Sequence, residues 1–128
     1  MTNDAPPALP VVPVVAAALI DAAGAVLIAE RPAGKPLAGR WEFPGGKIAA
    51  GETDLEALAR ELREELGIEL ARDAGAPRHM LTLRHDYPDR CIELRCYAVP
   101  GFTGRVQPLD GQRLKWVAAA ALDAEDIL

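Results

Sequence analysis

The sequence runs to 128 residues, half of them apolar, which is enough to close one hydrophobic core and too little for two full-sized domains. Nineteen acidic against fourteen basic residues leave a formal net charge of −5. That balance excludes a general electrostatic grip on long nucleic acid, and any anionic ligand would need a local cation, from an Arg/Lys cluster or a metal.

Residues 1–10 read as a flexible tail and residues 11–128 as one domain. The apolar stretch over residues 8–20 has no cationic lead-in, contains Pro10 and Pro13 and is too short to span a bilayer, so a cytoplasmic protein without membrane contact is expected. Apolar runs at residues 14–20 and 25–29, separated by Asp21-Ala-Ala-Gly24, predict a hairpin. Residues 31–39 are loop chemistry, and Trp41-Glu-Phe43 reads as a brief strand running into Pro44-Gly45-Gly46. Leu55, Leu58, Ala59, Leu62 and Leu66 recur at the spacing of one helical stripe. Thr53 with Glu56 forms a capping-box pattern at its start, and Gly67 stands where a helix stops. A second hairpin is predicted from residues 78–87 and 90–99 around Pro88-Asp89, with a last strand at residues 114–117 and helical composition over residues 118–128. Cys91 and Cys96, five apart on a strand, point to opposite faces and are not expected to pair.

On the predicted helix, Glu61, Glu64 and Glu65 fall within about a 100° arc, away from much of the leucine stripe. Glu61 and Glu65 are like charges four apart, which repel by a few tenths of a kcal/mol or so unless a cation lies between them. On an arbitrary helix such a face is simply solvated and balanced by neighbours such as Arg60 and Arg63. Here Gly45-Gly46 stands just upstream, and without side chains it lets a backbone carbonyl approach the same space. Clustered carboxylates and a carbonyl are hard oxygen ligands suited to Mg²⁺ or Mn²⁺, and the sequence offers no His/Cys set for zinc.

Residues 46–68, GKIAAGETDLEALARELREELGI, resemble the Nudix box, Gly-x5-Glu-x7-Arg-Glu-U-x-Glu-Glu-x-Gly-U with U apolar. All nine specified positions match: Gly46, Glu52, Arg60, Glu61, Leu62, Glu64, Glu65, Gly67 and Ile68. With residue frequencies of roughly 5–10%, a chance match at a given start is below about 10⁻⁸. The resemblance implies that Glu64, Glu65 and the carbonyl of Gly45 hold the metal and that Glu61 is a further ligand or the base that activates water. Arg60 would orient Glu61, and Glu52 would brace the loop against the helix.

The likeness extends to the MutT branch of the family. Trp41-Glu-Phe-Pro-Gly-Gly-Lys47 is similar to that branch's approach to the box, and Tyr87-Pro-Asp-Arg90 to its Phe-Pro-Asp-Arg turn. Asp110-Gly-Gln112 resembles its late Glu-Gly-Gln segment, which makes Asp110, one methylene shorter, a further metal ligand. By the same likeness Arg31, Phe43 and Arg90 would line the nucleotide pocket and Lys47 would lie near the phosphates. The family implies an α/β fold, an α/β/α sandwich around a mixed β-sheet. It also implies attack of a metal-activated water on the β-phosphorus of a nucleoside triphosphate, releasing the monophosphate and pyrophosphate.

The Pro-Asp-Arg turn favours sanitation of oxidised purine nucleotides (8-oxo-dGTP), a service to DNA repair. The family's CTP and methyl-dCTP pyrophosphatases are the rival, since their Arg-Pro-Ala entry, Trp-Glu-Phe approach and late Leu-x-Trp strand are also similar. From another class, a non-catalytic nucleotide-binding module of this fold would have lost box carboxylates, and none is lost here; metal-dependent release of pyrophosphate separates the two. MutT relatives carry a Pro-rich loop and a terminal helix with an Asn or Asp that reads the base edge. This sequence ends at Leu128, so weak base selectivity is expected.

Overall fold

Among the described residues, short apolar runs cut by Gly, Pro and Asp turns become nine strands around one long helix. The computed structural model describes residues 9–34 and 37–125. Its elements are β1 (Val11–Leu19), β2 (Ala25–Glu30), β3 (Trp41–Glu42), β4 (Gly45–Lys47), α1 (Asp54–Leu66), β5 (Glu69–Leu70), β6 (Arg78–Asp86), β7 (Cys91–Val99), β8 (Phe102–Thr103) and β9 (Leu114–Ala118). Short 3-10 segments lie at Arg72–Ala74 and Ala119–Ala124. Residues 1–8, most of the expected tail, lie outside the described residues, and no helix among those described is long and apolar enough to cross a membrane.

A mixed four-stranded sheet in the order β4-β1-β7-β6 is the backbone of the fold, with β1 parallel to β7 and antiparallel to β4. β3-β2-β9 form a second, antiparallel sheet, and β5 pairs with β8. The expected α/β architecture around a mixed sheet is observed. β1 and β2 both exist where the sequence places them, but they do not make a hairpin ladder. They share only a single bridge, Ile20 to Val26, because β4 and β7 already occupy both edges of β1. The turn chemistry still holds, with the Asp21 carboxylate accepting from the Ala23 and Ala25 amides. The second hairpin, β6 with β7, forms as expected. Cys91 and Cys96 are both buried and unpaired.

α1 starts and stops as its sequence dictates. Thr53 accepts from the Glu56 amide while the Glu56 carboxylate accepts from the Thr53 amide, and Gly67 closes the helix in the left-handed region at φ 69°. Leu58, Leu62 and Leu66 are fully buried against Val15, Ala17 and Leu19 of β1, with Ile68 and Val99. Ala57 joins them, whereas Leu55 is 38% exposed, so the buried stripe is rotated from the expected one by part of a turn. Among the described residues α1 is the one α-helix. The alanine-rich stretch after β9 has no side-chain cap and forms a 3-10 segment, whose Leu122 packs against Ile28, Trp41 and Val117.

Leu62→Ala should cost about 2–5 kcal/mol, the usual range for emptying a fully buried leucine site, while Leu55→Ala should cost under about 1 kcal/mol as a surface change. Urea unfolding of the two variants checks the rotation of the stripe, and equal losses would contradict it.

Candidate active site

β4 is the point where helix and sheet come closest. Gly45 and Gly46 pair with Ala16 and Val15 of β1, and α1 crosses directly over them. A Cβ added to Gly46 would stand 2.5 Å from the Glu61 carboxylate, and one on Gly45 would run into the Val15 carbonyl. Both positions therefore require glycine for close approach. The Gly45 amide donates to Glu65 Oε2 at 3.3 Å, which seats the two carboxylates of adjacent helical turns on the same short strand.

Arg60 joins the loop before α1 to its acidic face. Its Nε and Nη2 bind both oxygens of Glu52 at 2.7 and 2.9 Å, and Nη2 also donates to the Lys47 carbonyl at 3.0 Å. Nη1 donates to Glu61 Oε1 at 2.9 Å and to Glu64 Oε2 at 3.3 Å. Glu52 also accepts from the Ala49 amide. The hydrogen bond from Arg60, then that from Ala49, holds the Glu52 carboxyl down at about 2, and the bonds to Glu52 and Glu61 raise Arg60 further above its ordinary value. With one oxygen of Glu61 taken by Arg60, the other remains for a cation or a water.

Glu65 is in the opposite situation. Burial pushes its carboxyl up to about 8, the negative charges of Glu61, Asp110 and Glu42 add to the rise, and the Gly45 amide opposes it. Asp110 arrives on a loop fastened to the end of α1, where the Gln107 and Leu109 amides donate to the Leu66 and Glu65 carbonyls that the helix itself leaves open. A cavity of about 70 Å³ lies between Arg31, Glu42, Pro44, Glu65, Asp110 and Gln112. Nucleotide-sized pockets run to hundreds of Å³; this one has room for an ion and its waters. A larger depression of about 480 Å³, bordered by Ile20, Asp21, Arg78 and Pro100, includes none of these groups.

Among the described residues no three carboxylates already form a closed metal cage. The donor chemistry nevertheless fits a hard divalent cation: Arg60 holds Glu61 and Arg31 holds Glu42, while the buried Glu65 carboxyl lies among three acidic neighbours and receives a backbone amide. Residues 15–127 match the family model described as NUDIX domain. The chain belongs to the Nudix family. Over 102 residues it is 42% identical to the CTP pyrophosphohydrolase of Escherichia coli (strain K12), covering 80% of this chain and 73% of that protein. It is 46% identical to the putative 8-oxo-dGTP diphosphatase 2 of Mycobacterium tuberculosis (strain ATCC 25618 / H37Rv), again over 102 residues, covering 79% and 70%. The solution structure of the E. coli ORF135 protein superimposes with a TM-score of 0.80 at 36% identity, covering 93% of this chain and 81% of that one. The chain is a Nudix hydrolase.

Around the Nudix box the structure sorts the remaining expected residues. Arg31 lines the acidic cavity and donates to Glu42 at 3.1 Å. Lys47 is exposed at the end of β4. Phe43 is half-buried and packs against the core cluster of Ile28, Trp41 and Val117. Arg90 sits on the β6–β7 turn, its guanidinium 5.7 Å from the Tyr87 ring centre and 3.8 Å from the Asp89 carboxylate. Glu64 is exposed and engaged by Arg60. Glu42 and Gln112 received no role from the sequence, yet both border the cavity. Gln112 is buried and accepts from the Asp110 amide at 3.0 Å. The signal available was their place inside Trp-Glu-Phe and Asp-Gly-Gln, beside residues that the family pattern does single out.

With its carboxyl raised from 4.5 to about 8, folded Glu65 keeps a proton that the unfolded chain releases. Metal-free stability should therefore be greatest below about pH 4.5 as far as this group is concerned, decline from there to about pH 8, and level off above. Glu65→Gln should remove that decline and melt higher than the unaltered chain at pH 8–9 in chelator. Melting curves across pH check this, and parallel pH slopes would contradict it.

Proposed function

We propose that the chain is a divalent-metal-dependent nucleoside triphosphate pyrophosphohydrolase, with Mg²⁺ or Mn²⁺ as cofactor, that releases a nucleoside monophosphate and pyrophosphate. The observation that carries the reading is the seating of Glu61 and Glu65 on Gly45–Gly46 beside Asp110, which gathers three carboxyl groups at one point, with Arg60 engaging one oxygen of Glu61. Glu64, Glu65, Asp110 and the Gly45 carbonyl would hold the ion. A divalent ion there supplies neutralisation of the polyphosphate charge and polarises the attacked phosphorus. Glu61, oriented by Arg60 through Oε1, takes the proton of the attacking water on its other oxygen, and Glu52 keeps Arg60 in place. Arg31 and Lys47 supply positive charge for the phosphates, and Arg90 with Tyr87 offers a flat surface to the base. The substrate we favour is 8-oxo-dGTP, which would make the chain a cytoplasmic sanitiser of the nucleotide pool. The name of the M. tuberculosis relative and the Tyr87-Pro-Asp-Arg90 turn support it. The E. coli CTP pyrophosphohydrolase at 42% identity supports CTP as the second reading.

With Arg90 and Tyr87 offering a stacking surface, the base would be read by shape and stacking, which discriminates by only about 10–200-fold. Pyrophosphate release from 8-oxo-dGTP, dGTP, CTP and dCTP with Mg²⁺ should give the highest kcat/KM for 8-oxo-dGTP, within that range of dGTP. A highest value for CTP would shift the reading to the second substrate, and no metal-dependent release from any would end it.

Glu61→Gln should lower kcat by roughly 10²–10⁴, the usual loss for an acid/base group, while KM changes only a few-fold. Glu65→Gln should instead weaken metal binding, read by titration with Mn²⁺. Normal turnover in Glu61→Gln would move the base to another carboxylate.

A further inference from the structure

Asp54 opens α1, and its carboxylate is gripped from the sheet below. Arg95 Nη1 donates to Oδ1 at 2.6 Å and the Tyr97 hydroxyl donates to Oδ2 at 2.6 Å. Arg95 is itself held, its Nε donating to Glu93 Oε1 at 2.9 Å, and the other oxygen of Glu93 accepts from Arg84 Nε at 2.8 Å. Glu93 is buried, with 8% of its surface exposed. The row therefore runs Arg84, Glu93, Arg95, Asp54, with alternating charge from the edge strand β6 through β7 to the first turn of the helix. It lies outside the Nudix box pattern, because position 54 is one of the unspecified residues between Glu52 and Arg60.

The sheet registers show what this grip acts on. Val15 pairs with Gly46 on one side and with Arg95 on the other, so Gly46 and Arg95 stand two strand spacings apart, about 10 Å. Asp54 and Glu61 are seven residues apart on α1, about 10.5 Å along the helix. The helix thus crosses the strands, fastened at Asp54 over β7 and delivering Glu61 over β4. At the β4 end there is no slack, given the 2.5 Å approach that a Cβ on Gly46 would make to Glu61. A swing of about 5° about the far end would move the carboxylate by roughly 1 Å over such a lever, and a misplacement of that size can cost about 10²-fold in rate.

We propose that Arg95, with Glu93 behind it, and Tyr97 are positioning residues: by holding Asp54 they fix the angle at which α1 crosses the sheet and so seat Glu61 and Glu65 on Gly45–Gly46. The inference rests on the functional reading above for its catalytic consequence but not for its geometry. Asp54→Ala leaves the Thr53–Glu56 cap intact and should lower kcat for 8-oxo-dGTP with Mg²⁺ by roughly 10–100-fold while KM stays within about threefold. Tyr97→Phe, a milder change, should give a smaller kcat loss in the same direction. The control is Glu56→Ala, which breaks half the capping box and should lower the melting temperature with kcat unchanged. An independent readout is the Gly45 amide, which donates to Glu65. In metal-free protein its NMR shift and hydrogen exchange should change in Asp54→Ala and Tyr97→Phe but not in Glu56→Ala. An unmoved Gly45 amide in Asp54→Ala, or the same kcat loss in Glu56→Ala as in Asp54→Ala, would overturn the proposal. If the unaltered chain hydrolyses no triphosphate, the functional reading fails, and the Gly45 amide still decides the positioning role.

Discussion

Glu61 and Glu65 of α1 meet the backbone of Gly45 and Gly46 with no space for a side chain on either glycine, and most of the remaining structure serves that contact. The buried leucines of α1 and the small residues of β1 set the height of the helix over the sheet. Arg60 ties the preceding loop, the Lys47 carbonyl and the acidic face into one bonded unit. The loop carrying Asp110 is hung from the last carbonyls of the same helix. One rigid element, anchored at both ends, thus collects the chemistry from four separate stretches of chain.

Electrostatically the site is arranged against itself. Glu52, in the loop before α1, is held well below the ordinary carboxylate range by Arg60, whereas Glu65, in the last turn of the helix, is pushed up to about 8 by burial and by its acidic neighbours. Two carboxylates of one motif are driven apart by whether a guanidinium or a low-dielectric, negatively charged pocket faces them. Such a site is stabilised by a cation and costs the fold stability without one. On the proposed reading, a cation bound there would let a chain with a formal charge of −5 attract a polyanion locally while repelling anions in general.

The legible parts of this molecule were those in which a short stretch of sequence settles its own geometry. Thr53, Glu56 and Gly67 fix the ends of α1 by local hydrogen bonds and backbone sterics, and the carboxylate spacing of the box follows from helical periodicity. What depended on distant partners was not legible. The turn at Asp21 is correct in its local bonds, yet the strands it joins belong to different sheets, because β4 and β7, 30 and 80 residues on, claim the edges of β1. Two- and three-residue strands such as β4, β5 and β8 carry too little pattern to be read. Glu42 and Asp54 look like ordinary surface acids in the sequence, and only the sheet register places one beside Glu65 and the other over Arg95.

Every residue of β6 is exposed, including Met80, Leu81 and Leu83, and the strand forms an edge of the mixed sheet. An edge of that length offers free amides and carbonyls to any extended chain that drifts past, and apolar side chains make the encounter sticky. The register irregularity between His79 and Leu81 interrupts the row of evenly spaced groups. Arg84 and Asp86 then bring charge to the face opposite the leucines, so an incoming strand would have to bury them. The ion pair of Arg84 with Glu93 thus has a colloidal side: the cation at the far end of the row that grips α1 also guards the open edge of the sheet, and solubility and helix placement share a residue.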